Sequence, residues 1–211
     1  MPDDWVADAR RSYDVVADDY DRLLEGAFDR LPLEKALLAA FAELVGPGAV
    51  VVETGCGTGE VTRRLHRLGL RVVATDLSTG MLRVARRRDP DAALAAAALD
   101  ALPLADASVD GAACWYVLQH VPDDAVDDSL AELHRVVRPG GTVLLGFHSG
   151  RGSHLKTEGY GGHPMRVRIH RRTAADVSER LRRSGFTVTS TTETTPPPGS
   201  PSGGAVVLAT R

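Results

Sequence analysis

Cysteine, aromatic side chains and long apolar runs are all scarce in this sequence of 211 residues. Two cysteines are too few for a disulfide framework, so we expect a reducing, cytoplasmic location. No run of about 18 apolar residues occurs, so we expect no membrane span, and the first residues do not resemble a signal peptide. A formal net charge of −3 gives no electrostatic basis for binding nucleic acid or an anionic membrane.

Glycine, in contrast, is concentrated in the stretch that organises the chain, residues 51–59, Val-Val-Glu-Thr-Gly-Cys-Gly-Thr-Gly. An apolar run ends at Glu53, glycine then recurs at every second position, and a helical pattern begins at Val61. This pattern predicts a buried strand, a tight turn and a helix start, where glycine permits unusual φ angles and close approach of a ligand to the backbone. Glu60 does not fit the dinucleotide fingerprint, and Glu60 with Val61 does not fit a P-loop. A plain structural turn is the remaining alternative.

Periodicity and turn residues predict alternating helices and strands, and therefore an α/β fold, along the rest of the chain. For the helix at 32–45 the spacing predicts an apolar face of Leu33, Leu37, Phe41 and Leu44. We predict strands at 49–54, 71–75, 92–98, 109–116, 142–147, 186–192 and 205–210. We predict helices at 5–27 and 32–45, one helix that ends at 68, and three helices that begin after 78, at 122 and at 173. A long turn is predicted at 196–204.

Asp76 closes the second predicted strand, about 20 residues beyond the glycine-rich turn. The carboxyl ends of parallel strands face the ligand crevice, so this carboxylate can accept both hydroxyls of a ribose. That interpretation suits NAD as well as S-adenosylmethionine. Ser78 is the predicted N-cap of the following helix, and Met81 fits either the core or a ligand contact.

The order of motifs resembles that of class I S-adenosylmethionine-dependent methyltransferases of the small-molecule type. The glycine-rich turn resembles their first motif, and 134–141, His-Arg-Val-Val-Arg-Pro-Gly-Gly, resembles a structural hallmark before their fifth strand. The resemblance covers about residues 12–210. It implies a Rossmann-like doubly wound sheet of order 3-2-1-4-5-7-6 with strand 7 antiparallel, and an N-terminal helical lid. The predicted single domain divides into a lid (1–45), a cofactor-binding core (46–148), an irregular acceptor-site loop (149–172) and a C-terminal helix and hairpin (173–211).

The resemblance also implies an S-adenosylmethionine site. Asp100 would then contact the adenine, although a turn-forming aspartate is the alternative. Tyr13 and Tyr20 share one helix face and belong either to the lid over the ligand or to the core. The implied cofactor-binding residues are Tyr13, Tyr20, Glu53, Gly55, Cys56, Gly57, Asp76, Leu77, Met81, Asp100, Ala101, Trp115 and His120.

His120 and His148 follow predicted strands on the ligand side and are the candidate catalytic bases, although either could simply pack or hydrogen-bond. The candidate acceptor-site residues are Tyr20, Tyr116, His148, Tyr160 and His163. Histidines in 148–170 match no metal-ligand spacing, so we expect no metal site. We interpret Cys56 and Cys114 as packing residues.

These features predict a methyltransferase that moves a methyl group to O, N or C of a small organic molecule, with natural-product biosynthesis as one setting. We expect a small-molecule partner, and a monomer or homodimer. Three alternatives remain at this stage: an S-adenosylmethionine-binding enzyme with other chemistry, a NAD-binding oxidoreductase, and a binding module without catalysis.

Overall fold

The structure, a computed structural model, describes residues 4–196 and 202–211 and is built on a seven-stranded sheet. The strands that run parallel are β1 to β5, and β9 lies antiparallel between β5 and β8. The order is β3-β2-β1-β4-β5-β9-β8, which confirms the predicted sheet order once the two strands of a separate hairpin are set aside. The sheet strands are β1 Val50–Thr54, β2 Arg71–Asp76, β3 Ala93–Ala96, β4 Val109–Trp115, β5 Val137–His148, β8 Thr187–Glu193 and β9 Gly204–Thr210.

Helices cover both faces of this sheet, because its central strands are apolar on both sides. One core cluster joins the sheet to the faces of α5 and α6, and a second joins it to α2 and α3. The helices are α1 Trp5–Leu24, α2 Pro32–Val45, α3 Glu60–Arg67, α4 Thr79–Arg88, α5 Val126–Val136 and α6 Ala174–Arg183, with short 3-10 turns at Phe28–Arg30 and Leu118–His120.

The apolar face predicted for α2 is wrong in part. Phe41 is fully buried, but Leu44 is 60% exposed and Leu33 is also exposed. The face that packs on the sheet is rotated along the helix and contains Leu38, Phe41 and Ala42. Leucine is common on both sides of this helix, so the periodicity alone does not select the buried stripe.

The segment predicted as an irregular acceptor-site loop is instead an antiparallel hairpin of β6 Ser153–Gly159 and β7 His163–His170. Its strand periodicity comes from Met165, Val167 and Ile169, which are buried while their neighbours are exposed. Frequent glycine, histidine and arginine hid this alternation in the sequence. Part of the predicted turn at 196–204 lies outside the described residues.

Helix α1 lies between the hairpin and α4, and it is fixed by side chains on two of its faces. Met165, Val167 and Ile169 pack on Val16 and Ala17 of α1. Asp14 Oδ1 accepts hydrogen bonds from Ser78 Oγ at 2.7 Å and from Gly80 N at 2.8 Å, which joins α1 to the start of α4. Ion pairs extend both contacts: Asp18 with Arg83 and Arg87, Asp21 with Arg88, and Asp8 with Arg166.

The described part of the chain contains no helix that is both long and apolar enough to cross a membrane.

Candidate active site

A cavity of about 520 Å³ lies at the carboxyl ends of the central strands, under α1. Thr54, Asp76, Trp115 and His148 end β1, β2, β4 and β5, and all four line it. Parallel strands bring these ends to one edge of the sheet, so residues more than 90 positions apart in sequence share one cavity.

The glycine-rich turn forms one wall of the cavity, and its conformation requires glycine. Gly55 and Gly57 have φ angles of +64° and +54°. A Cβ atom on Gly55 would lie 2.1 Å from the Val117 side chain, whereas one on Gly57 would meet nothing within 4 Å. The backbone at Gly57 is therefore open on that side, as a ligand-binding turn requires.

Asp76 is held by backbone donors at the end of β2. Its Oδ2 accepts a hydrogen bond from Gly57 N at 2.8 Å, and its Oδ1 accepts one from Ser78 N at 2.8 Å. Burial raises the pKa of Asp76 to about 6. A carboxylate oxygen accepts more than one hydrogen bond, so Asp76 keeps acceptor capacity toward the cavity it lines. Ser78 caps α4 through its hydroxyl, which confirms the predicted N-cap.

Glu53 is a second carboxyl group in the cavity wall, and it is 1% exposed. Its Oε2 accepts a hydrogen bond from the Thr62 hydroxyl at 2.5 Å. Burial raises the pKa of Glu53 to about 8. In the described part of the chain no lysine or arginine forms an ion pair with it. For neither Glu53 nor Asp76 do the described residues thus supply a cationic partner within hydrogen-bonding distance of the carboxyl group.

His120 contacts helix α1 through the side chain of Tyr13. The Tyr13 hydroxyl lies 3.1 Å from His120 Nε2. Burial lowers the pKa of His120 to about 3, so its imidazole is neutral at any ordinary pH. Its Nδ1 is buried and has no hydrogen-bond partner among the described residues. One ring nitrogen therefore contacts α1, and the other is buried without a partner among the described residues.

Aromatic rings line the far end of the cavity. Trp115 lies between Phe28 and Tyr116, with ring centroids 6.2 and 5.7 Å away, and Tyr116 packs edge-on against His148 at 5.1 Å. Tyr116 adopts a φ of +55°, which is rare for a bulky residue. Burial lowers the pKa of His148, whose Nδ1 is 3.5 Å from the Ser202 hydroxyl.

The structure brings most of the residues expected at the site onto this one cavity. Asp100 and Ala101 are exceptions: both are exposed and lie outside the wall, where Ala97 and Leu99 stand instead. A backbone bridge between Ala98 and Ala101 turns the chain away there. The expected residues that do line the cavity are Tyr13, Tyr20, Glu53, Gly55, Cys56, Gly57, Asp76, Leu77, Met81, Trp115, Tyr116, His120 and His148.

Tyr160 and His163 also lie outside the cavity wall, and they join the β6–β7 hairpin to helix α1. The Tyr160 ring packs on Tyr20 with centroids 4.6 Å apart, and Lys156 Nζ lies 4.0 Å above the Tyr160 ring. His163 Nε2 lies 2.7 Å from Asp19 Oδ2. None of the residues 149–172 lines the cavity.

The sequence interpretation missed several lining residues. Trp5, Phe28 and Glu34 come from helical segments whose position over the sheet no local pattern specifies. Scarcity was the available signal for Trp5, since the chain has only two tryptophans.

Arg172 was also missed. Its guanidinium is almost fully buried and donates to the carbonyl oxygens of Leu118 and Val121 at 2.8 and 2.7 Å. The same group pairs with Asp123 at 2.7 Å. Arg172 therefore fixes both sides of the turn that carries His120.

No cluster of metal-binding side chains is found among the described residues.

Part of the chain is similar in sequence to known methyltransferases. Residues 52–145 match a family model described as a methyltransferase domain, Methyltransf_11. The malonyl-[acyl-carrier protein] O-methyltransferase of Serratia marcescens is 41% identical over 99 residues, which are 47% of this chain and 38% of that protein. The demethylmenaquinone methyltransferase of Beutenbergia cavernae is 36% identical over 138 residues, 65% of this chain and 54% of that protein. The chain thus spans about half or less of these curated relatives.

A solved structure has the same fold as this chain, over the whole length of this chain. The 1,6-didemethyltoxoflavin-N1-methyltransferase of Burkholderia thailandensis, solved with 1,6-didemethyltoxoflavin and S-adenosylhomocysteine, superposes with a TM-score of 0.76 at 24% identity. The match covers 100% of this chain and 90% of that one. Residues 52–145 therefore match the methyltransferase domain model, which covers less than half of the chain, and the chain has the same α/β fold as the solved methyltransferase.

Proposed function

We propose that this chain binds S-adenosylmethionine and transfers its methyl group to O, N or C of a small organic molecule. The observation that carries the proposal is the position of Asp76, held by the Gly57 and Ser78 N–H groups at the strand end where a ribose would bind. Gly57 leaves open backbone beside it, suited to the amino-acid part of the cofactor.

The charge of the cavity also fits this cofactor. S-adenosylmethionine carries a sulfonium and an ammonium group beside its one carboxylate, and Glu53 and Asp76 are carboxyl groups for which the described residues supply no cationic partner at hydrogen-bonding distance. We infer that Glu53 binds the ammonium, directly or through water, and that Asp76 accepts the ribose hydroxyls. Leu77, Met81 and Leu99 supply apolar surface for the adenine. The cofactor supplies an electrophilic methyl group, and the protein aligns the acceptor and excludes water.

The two candidate histidines differ in suitability as bases. The low pKa of His120 makes it a weak proton acceptor, so we propose that it orients a ligand together with Tyr13. His148 is only half-buried and lies beside Tyr116, so it is the better candidate to remove a proton from an O–H or N–H acceptor.

Replacing Asp76 tests the proposed cofactor site. Asp76→Ala should weaken S-adenosylmethionine binding at least tenfold, about 1.4 kcal/mol, in calorimetric titration. Asp91→Ala is the matched control, since Asp91 is exposed and lies outside the cavity. Unchanged affinity of the Asp76 variant would contradict the assignment.

Other chemistry on the same cofactor is not favoured, because the curated relatives named above are methyltransferases. We also propose a small-molecule partner rather than nucleic acid, from the net charge of −3, and a cytoplasmic location, from two buried free thiols. A monomer or homodimer remains our expectation.

A further inference from the structure

Aromatic side chains are concentrated in the cavity of a chain that has few of them. The sequence contains four phenylalanines, four tyrosines and two tryptophans. Six of these ten line the cavity, and they include both tryptophans: Trp5, Tyr13, Tyr20, Phe28, Trp115 and Tyr116. Phe28 belongs to a core cluster and Trp5, Tyr13, Tyr20 and Trp115 pack against core clusters, so these rings join the cavity to a core that is otherwise mainly aliphatic.

Several of these rings form a continuous surface at the end of the cavity away from Asp76. The sequence of contacts runs from Phe28 to Trp115, Tyr116 and His148, with neighbouring centroids 5.1 to 6.2 Å apart. Such spacing matches the edge-on and tilted arrangements that aromatic rings prefer. A flat ring entering this end would meet aromatic surface on several sides, and each ring pair contributes about 0.5–1.5 kcal/mol beyond area burial.

The charges around the same cavity do not suit an anion. Arg88 is the cationic side chain among the described lining residues, and it is already paired with Asp21 at 2.6 Å and with Glu25 at 3.5 Å. Burial raises the pKa of the Tyr116 phenol, and the charge of Glu34, another lining residue, adds to this. Burial lowers the pKa of His148, and the charges of Arg171 and Lys156, which lie outside the cavity wall, act in the same direction. A carboxylate or phosphate would lose hydration here without gaining an ion pair, which is costly.

We propose that the methyl acceptor is a planar aromatic or heteroaromatic molecule without negative charge. This inference rests on the proposed methyl transfer and specifies its substrate class. The rings bind the flat surface of the acceptor, and the absence of an unpaired cation selects against carboxylate, phosphonate or phosphate groups. His148 and the Tyr116 hydroxyl are the polar groups available to an acceptor O–H or N–H at this end.

The test is calorimetric titration of the full-length protein with three probes of similar size, in saturating S-adenosylhomocysteine. The probes are 2-naphthol, which is flat and neutral, 2-naphthoate, which is flat and anionic, and decahydro-2-naphthol, which is neutral and not flat. We expect 2-naphthol to bind at least tenfold more tightly than either of the others. Equal or tighter binding of 2-naphthoate would overturn the charge argument, and equal binding of decahydro-2-naphthol would overturn the aromatic one. If none of the three binds, the proposal is also overturned.

A variant of this lining glutamate adds a second comparison. Glu34→Gln should increase 2-naphthoate affinity at least threefold and leave 2-naphthol affinity within twofold, and Glu43→Gln, on the same helix but outside the cavity, should change neither. An equal response to Glu34→Gln and Glu43→Gln would count against the electrostatic selection. Titration with S-adenosylhomocysteine alone comes first: no binding would contradict the proposed function, whereas binding combined with a wrong probe order would overturn only the acceptor class.

Discussion

Glu53 should make the ligand-free protein less stable as pH rises. Its folded-state pKa of about 8 lies above the ordinary value of 4.5 because the carboxyl group is buried. The folded state therefore holds a proton that the unfolded state has released between about pH 5 and 8, so raising the pH favours unfolding. Each pH unit in this window corresponds to about 1.4 kcal/mol for one such group, so Glu53 accounts for a loss on the order of 2–3 kcal/mol from pH 5 to pH 7.

Glu53→Gln removes this titration and keeps an oxygen that can accept the Thr62 hydrogen bond. The stability difference between the variant and the wild type should grow in favour of the variant by roughly 2–3 kcal/mol from pH 5 to pH 7. For a chain of this length that is a shift in relative Tm of roughly 5–10 °C. Asp76 titrates nearby in both proteins, so its contribution largely cancels from the difference.

Thermal unfolding followed by circular dichroism at pH 5, 6 and 7 measures the effect, with Glu43→Gln on the exposed side of α2 as the control. A Tm difference between Glu53→Gln and wild type that does not change with pH would refute the account of Glu53 as a buried, unpaired carboxyl group. At pH 8 the variant should also bind S-adenosylmethionine more weakly than the wild type, because it has lost the anionic partner for the cofactor ammonium.

Three further substitutions address the lid, the base and the turn that carries His120. Asp14→Ala removes two hydrogen bonds to the start of α4, so amide hydrogen exchange in residues 5–24 should accelerate relative to Asp91→Ala; equal exchange would show that Asp14 does not hold the lid. His148→Gln should lower kcat at least tenfold while S-adenosylhomocysteine affinity stays within threefold, and wild-type turnover would exclude His148 as the base. Arg172→Met removes the guanidinium donor from the Leu118 and Val121 carbonyl groups, of which Leu118 keeps the Val121 N–H, and should reduce the free energy of unfolding by about 2–4 kcal/mol in urea denaturation, whereas a loss below about 0.5 kcal/mol would contradict this role.

The strand ends were predictable because their sequence signals are local and strong: the glycine-rich turn follows the end of β1, and Asp76 ends β2. The sheet order was implied by the resemblance to class I methyltransferases, and the structure confirms it. The β6–β7 hairpin was missed because glycine and histidine obscure its alternation of buried and exposed residues. The buried face of α2 was wrong because several leucines compete for it, and only the sheet it packs against selects among them.

The site was predictable where a residue is attached to a strand end and less so where helices cover it. Asp76 and His148 follow strands directly, and both line the cavity. Phe28 reaches the cavity through the packing of a 3-10 turn that no spacing encodes. Asp100 fits a sequence motif but lies on the outside of a turn, because a bridge between neighbouring residues reverses the chain there.

The most direct test of the central claim is calorimetric titration of the wild-type protein with S-adenosylmethionine, S-adenosylhomocysteine and NAD. Binding of the first two with micromolar Kd, near −8 kcal/mol, and none of NAD is the predicted result. Binding of NAD alone would contradict the assignment of the glycine-rich turn and Asp76, and with it the proposed methyl transfer.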